Sequence, residues 1–93
     1  MVKKYRDLLQ FILEDNDAVE KLECVVLTRD MPLHGLRVGD LGAVVEIYPN
    51  GGLEVEFVRG SGFTQALLTL KNSDVRKIDP HDLLSTRRLA EVK

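Results

Sequence analysis

The chain has no tryptophan, one cysteine, three prolines and two histidines among its 93 residues. Each shortage excludes something. With Cys24 alone, no internal disulfide can form, and a reducing compartment is the simple reading. Cys24 opens the run CVVLTRD and reads as a small buried hydrophobe rather than a reactive thiol, because no base cluster lies near it. His34 and His81 stand far apart, and neither has a Cys or His at ligand spacing, which argues against a structural metal. Aromatic residues make up only 5%. That leaves little for the aromatic groove of Pro-rich peptide binders or for base-stacking platforms. No stretch approaches the roughly 18 apolar residues of a membrane span.

Catalytic signatures are missing as well. GLRVGDLG lacks the Lys-Ser/Thr step and the following helix of a phosphate loop. GSG, Gly60 to Gly62, reads as a turn, with no nearby His to serve as base. Glu54 and Glu56 alternate along one strand face, roughly 7 Å apart, between the two carboxylate separations used by glycosidases. An open strand face supplies no cleft, so they read as a solvated surface. These observations predict a protein that is not an enzyme and carries no cofactor.

The net charge is −2. Between residues 23 and 79 the six bases Arg29, Arg37, Arg59, Lys71, Arg76 and Lys77 face eight acids. A nucleic-acid binder gains most of its affinity by neutralising phosphates, so this balance argues against one.

What is present divides the chain into three parts. Residues 1–22 read as an amphipathic helix, or two helical pieces, with Tyr5, Leu8, Leu9 and Ile12 on one face and Phe11 and Leu13 widening it. The start MVKKYRDLLQFILEDND has the outline of a signal peptide. However, Gln10 interrupts its apolar run, and acids stand where a cleavage site would be, so a cytoplasmic protein is expected. Residues 23–79 read as all-β. CVVL is a strand apolar on both faces, for which the N-terminal helix is the expected cover. MPLHGLRVGD is a loop. In LGAVVEIY, Ala43, Val45 and Ile47 are expected on one face and Val44, Glu46 and Tyr48 on the other. PNGG suits a tight hairpin with positive φ at both central residues. LEVEFV places Leu53, Val55 and Phe57 inside, with Glu54 and Glu56 outside. After the RGSG turn, FTQALLTL buries Ala66, Leu68 and Leu70. KNSD is a 3-10 turn, and VRKI a short last strand. Residues 80–93 are a tail, either frayed or a short helix capped by Asp82 and carrying Leu83, Leu84 and Leu89.

A long first loop, two tight hairpins and a helical turn before the last strand give the order of a small five-stranded SH3-like barrel. Gly42, Gly60 and Gly62 fall where such a barrel bends.

The blocks DMPLHGL, GDLGAVVEIY, LEVEFV and ALLTL, in this order and spacing, resemble a bacterial family of small proteins known as a domain of unknown function. The resemblance covers residues 23–79 and implies an SH3-type barrel without an activity or functional residues to transfer. It also suggests pairing with another protein, for example as the neutralising half of a toxin pair. GDLGAVVEI is similar, over a shorter span, to KOW-type barrels of ribosomal and transcription proteins.

The leading expectation is therefore a non-enzymatic protein-interaction module, regulating or neutralising a protein partner. Its expected contact residues are Met31, Leu33, His34, Leu36, Arg37 and Tyr48, since Met31, Leu33 and Leu36 are apolar yet lie in a loop. An RNA- or ribosome-associated barrel and an accessory subunit of a larger enzyme are the alternatives. The N-terminal helix is either a lid on the barrel or an interface. A homo-oligomer could form through that helix or through a barrel edge.

Overall fold

The computed structural model describes residues 22–89. Five strands are present: β1 (Cys24–Leu27), β2 (Leu41–Ile47), β3 (Leu53–Val58), β4 (Thr64–Leu70) and β5 (Val75–Lys77). They form one antiparallel sheet in the order β4-β3-β2-β1-β5. Short 3-10 turns over Pro32–His34 and Asn72–Asp74 interrupt the connections. The strands fall where β-branched and alternating residues predict them, and the KNSD turn and VRKI strand are both observed.

The sheet is not closed into a barrel. β4 and β5 occupy opposite edges, and β5, at three residues, forms its ladder with β1 alone.

The register sorts the side chains into two faces. Val25, Leu27, Val44, Leu53, Val55, Phe57, Leu70 and Val75 gather into one dry cluster, joined by Leu36 from the β1–β2 loop. Ala66 and Leu68 pack against its margin, as does Met31. Glu54 and Glu56 lie on the reverse face. There Glu54 accepts hydrogen bonds from Tyr48 Oη (2.9 Å) and Thr69 Oγ1 (3.0 Å), and Glu56 accepts one from Thr64 Oγ1 (2.6 Å). Val26 points away from the main cluster and is also buried, at 6% exposure. The N-terminal helix expected over residues 1–22 as its cover lies outside the described residues except for Leu22, which is not helical: it is an exposed turn residue with φ 69°. Cys24 is half-buried rather than fully buried.

Three local expectations are corrected. Strict alternation along β2 fails because a register shift lies between Val44 and Glu46. The extra residue puts Val44 opposite Val55 and Ile47 opposite Leu53, so both lie on the core face while Glu46 stays outside. The PNGG hairpin does not place both Asn50 and Gly51 at positive φ; Gly51 alone does, at 88°. Pro49, with its fixed negative φ, starts the turn one residue earlier. Gly51 N donates to Tyr48 O at 2.9 Å, and Tyr48 N donates to Gly52 O at 2.8 Å. This is a three-residue loop closed by a glycine bulge. The Arg59–Phe63 hairpin has the same two bonds, Gly62 N to Arg59 O and Arg59 N to Phe63 O, each 2.8 Å. Finally, residues 80–89 contain no helix. Instead of capping one, Asp82 accepts Arg76 Nη1 at 2.7 Å and Nη2 at 3.1 Å.

Gly42 serves close packing more than bending. A Cβ there would lie 2.5 Å from Val55 Cγ1 and 2.9 Å from Phe57 Cε1. Gly60 has open space around it and no positive φ. Gly42→Ala is therefore expected to destabilise the fold by about 1–3 kcal/mol through overpacking. Gly60→Ala should be neutral or stabilise by up to about 1 kcal/mol through the unfolded chain. Urea unfolding of the two variants checks the contrast.

Candidate interaction surface

The β1–β2 loop runs from Thr28 to Asp40 and is built from both ends. At its waist Met31 N donates to Leu36 O at 2.9 Å, and Leu36 N returns a bond to Met31 O at 3.1 Å. Between them Pro32 starts the 3-10 turn, for which its fixed φ suits it. At its base Asp30 accepts Val38 N at 2.9 Å, and Asp40 accepts Arg37 N at 2.8 Å.

The tail then locks the base. Arg87 Nε donates to Asp40 Oδ1 at 2.8 Å and Nη2 to Oδ2 at 2.6 Å. The same Nη2 reaches Gly35 O at 2.9 Å. This two-pronged contact ties residue 87 to a loop 47 positions earlier, in the planar geometry that favours arginine over lysine. Nothing in sequence spacing links Arg87 with Asp40, so the sequence reading missed this pair.

The six expected contact residues do not form one patch. Leu36 is 4% exposed and belongs to the core. Met31 packs against that core. Leu33 is 96% exposed at the tip of the 3-10 turn. His34 beside it is exposed, and its carbonyl accepts Gln65 Nε2 at 3.1 Å. Arg37 is exposed near the loop base. Tyr48 sits at the far end of the β3–β4 ladder, roughly 15 Å from the Gln65 level by strand rise. Its hydroxyl is held by Glu54, whose carboxylate raises the Tyr48 pKa by accepting that proton's hydrogen bond.

In place of Tyr48, the loop tip has the Arg59–Phe63 hairpin as its neighbour. Gln65 joins the two, because its Oε1 accepts Arg59 Nε at 2.8 Å while its Nε2 serves His34. Arg59 lies over the Phe63 ring, 5.2 Å from the centroid, a cation–π arrangement. Phe63 is 64% exposed, so this end of the sheet presents Leu33 and Phe63 together with His34 and Arg59. The Phe63 contribution was not foreseen because FTQALLTL reads as continuous strand.

At the opposite end, a shallow hollow of about 390 Å³ is lined by Asn50, Gly51, Gly52, Lys71, Asn72 and Ser73. Asn72 Nδ2 bridges to Gly51 O at 3.1 Å across it. Among the described residues no group of three or more His, Cys, Asp or Glu could hold a metal ion, and no helix is long and apolar enough to cross a membrane.

The domain of unknown function DUF4926 matches residues 21–77. The chain belongs to this family. No curated protein and no solved structure matches it. The matched span contains all five strands and the β1–β2 loop but stops short of Arg87.

Three aspartates fasten the loops and tail, and all three titrate low. Partial burial pushes the Asp40 carboxyl up, but the Arg87 hydrogen bond, the Arg37 N–H and the two guanidinium charges outweigh it. Asp74 is lowered by the side-chain bond from Arg29 Nε at 2.8 Å and by Lys71 N. Asp82 is held at about 2 by Arg76 and by Asp79 N. Their folded values lie below the unfolded value near 3.8. Their contribution to stability is thus complete above that pH and is lost as the pH falls through the folded values. The urea midpoint should drop on acidification below about pH 4, with no contribution from these groups to any slope above about pH 5. Asp40→Asn should lessen the acid slope and lower stability at neutral pH. Urea titrations at a series of pH values measure both.

Proposed function

We propose that the chain is a non-enzymatic protein-interaction module, a regulatory or neutralising partner of another protein. We read its open sheet, with the long first loop, two tight hairpins and 3-10 turn before the last strand, as a distorted SH3-like arrangement. The contact face in this reading is the end of the sheet formed by Leu33, His34, Arg59 and Phe63.

One observation carries the proposal. Leu33 is 96% exposed, yet the loop presenting it is fixed by two core side chains, a backbone bridge and the Arg87–Asp40 pair. A large apolar side chain held out on a rigid mount loses little entropy on docking. Phe63, on the hairpin joined to the loop through Gln65, adds a second apolar anchor, and aromatic and arginine residues are enriched where binding energy concentrates. Burying one such side chain is worth about 1.5–3 kcal/mol. The acid excess of the sheet and the scarcity of stacking residues favour a protein partner over RNA.

The test is affinity capture from native lysate with the full chain, with and without nuclease, followed by Leu33→Asp and Phe63→Ser. Leu33→Asp should unfold at the wild-type urea midpoint, since its side chain is exposed, and Phe63→Ser should lose only the Arg59 ring contact, about 0.5–1 kcal/mol. Each should weaken capture of a defined protein by at least about tenfold, the expected size for loss of one buried anchor. Capture that vanishes with nuclease and falls steeply with salt would instead support the RNA-associated reading.

A further inference from the structure

The two edges of the sheet are treated differently by the sequence. β5 is three residues long and carries Arg76 and Lys77. Arg76 Nη1 folds back onto Lys77 O at 3.1 Å, which occupies an edge carbonyl. Charge, shortness and a covered carbonyl are the usual ways to blunt an edge. β4 has none of them along Ala66–Leu70. That stretch, ALLTL, is uncharged and has no proline or glycine. Among the described residues its outward backbone groups have no hydrogen-bond partner beyond β3. Leu67 is 54% exposed beside this edge.

The pattern of ALLTL is also self-complementary. Turned antiparallel about Leu68, it sets Ala66 opposite Leu70 and Leu67 opposite Thr69, with Leu68 on the axis. The core-side pairs are then apolar, and no like charges meet. The acids nearest the edge, Glu54 and Glu56, sit one strand inward on β3. Across such a junction the two β3 strands would be three strand spacings apart, roughly 14 Å. That exceeds the screening length of about 8 Å at physiological salt. The register shift between Phe57 and Val58, which places Gln65 outside the regular ladder, limits pairing to the segment after it.

We propose that the β4 edge pairs with the β4 edge of a second copy of this chain, antiparallel about a two-fold axis at Leu68, to give a continuous ten-stranded sheet. The pairing uses a surface separate from the Leu33–Phe63 end. It stands whether or not that end binds a partner.

The experiment is sedimentation equilibrium of the full chain from micromolar to millimolar concentration, together with the double variant Leu67→Lys, Thr69→Lys. In the monomer each new lysine lies directly across from a glutamate, Glu56 and Glu54 respectively, so folding is expected to survive. In the dimer the lysines meet face to face, where like charges repel. The expected result is a wild-type dimer and a dissociation constant raised at least about tenfold in the variant. Amide exchange of wild-type Ala66–Leu70 should also slow as concentration rises. A wild-type chain that stays monomeric to millimolar concentration overturns the proposal. So does a dimer that the double variant leaves intact.

Discussion

An open sheet has one dry face to cover, and the fold depends on what the chain outside the strands adds to it. Leu36 supplies that addition. It enters the cluster of Val25, Val44, Val55 and Phe57 from outside the sheet, with Met31 beside it. The loop carrying it is thereby pinned at its middle rather than only at its ends. A loop pinned there has a short free arch, and that arch is what holds Leu33 clear of the surface.

The same constraint explains the packing beneath. Phe57 lies so close to β2 that residue 42 has no room for a side chain. The core is small, and at Gly42 the side chains of Val55 and Phe57 press against the β2 backbone. Interiors packed at this density respond to a single added methyl. The long-range ties at the periphery, Arg87 to Asp40 and Arg29 to Asp74, then hold the loop and the second 3-10 turn against this small core.

Much of this was legible in the sequence. The alternation in LEVEFV and the β-branched run CVVL identify strands because their periodicity reflects burial directly. The final 3-10 turn and short strand followed from KNSD and VRKI. Other features were hidden for physical reasons. The bulge in β2 inserts a residue without any glycine or proline to mark it, so strict alternation put Val44 and Ile47 on opposite faces. Pro49 outvoted the Asn-Gly step by setting the start of the turn. Leu36 and Leu33 look equivalent in the loop sequence, and only the three-dimensional path sends one inward and the other out. Tyr48 was grouped with the loop as part of an adjacent turn, but strand length places it at the other end. Barrel closure depends on how the two edge strands meet, which hydrophobic pattern does not specify.

The glutamates of the reverse face are met by Tyr48, Thr64 and Thr69. These are hydroxyl donors, which satisfy the oxygens without bringing any positive charge. Each carboxylate is thus fixed in position but not neutralised. Two carboxylates without a cationic partner thus stand on the reverse face, while Arg59, bonded to the neutral Gln65, lies toward the loop end. That arrangement would turn an approaching macromolecule before contact: an acidic surface would be guided toward Arg59 and away from the glutamates.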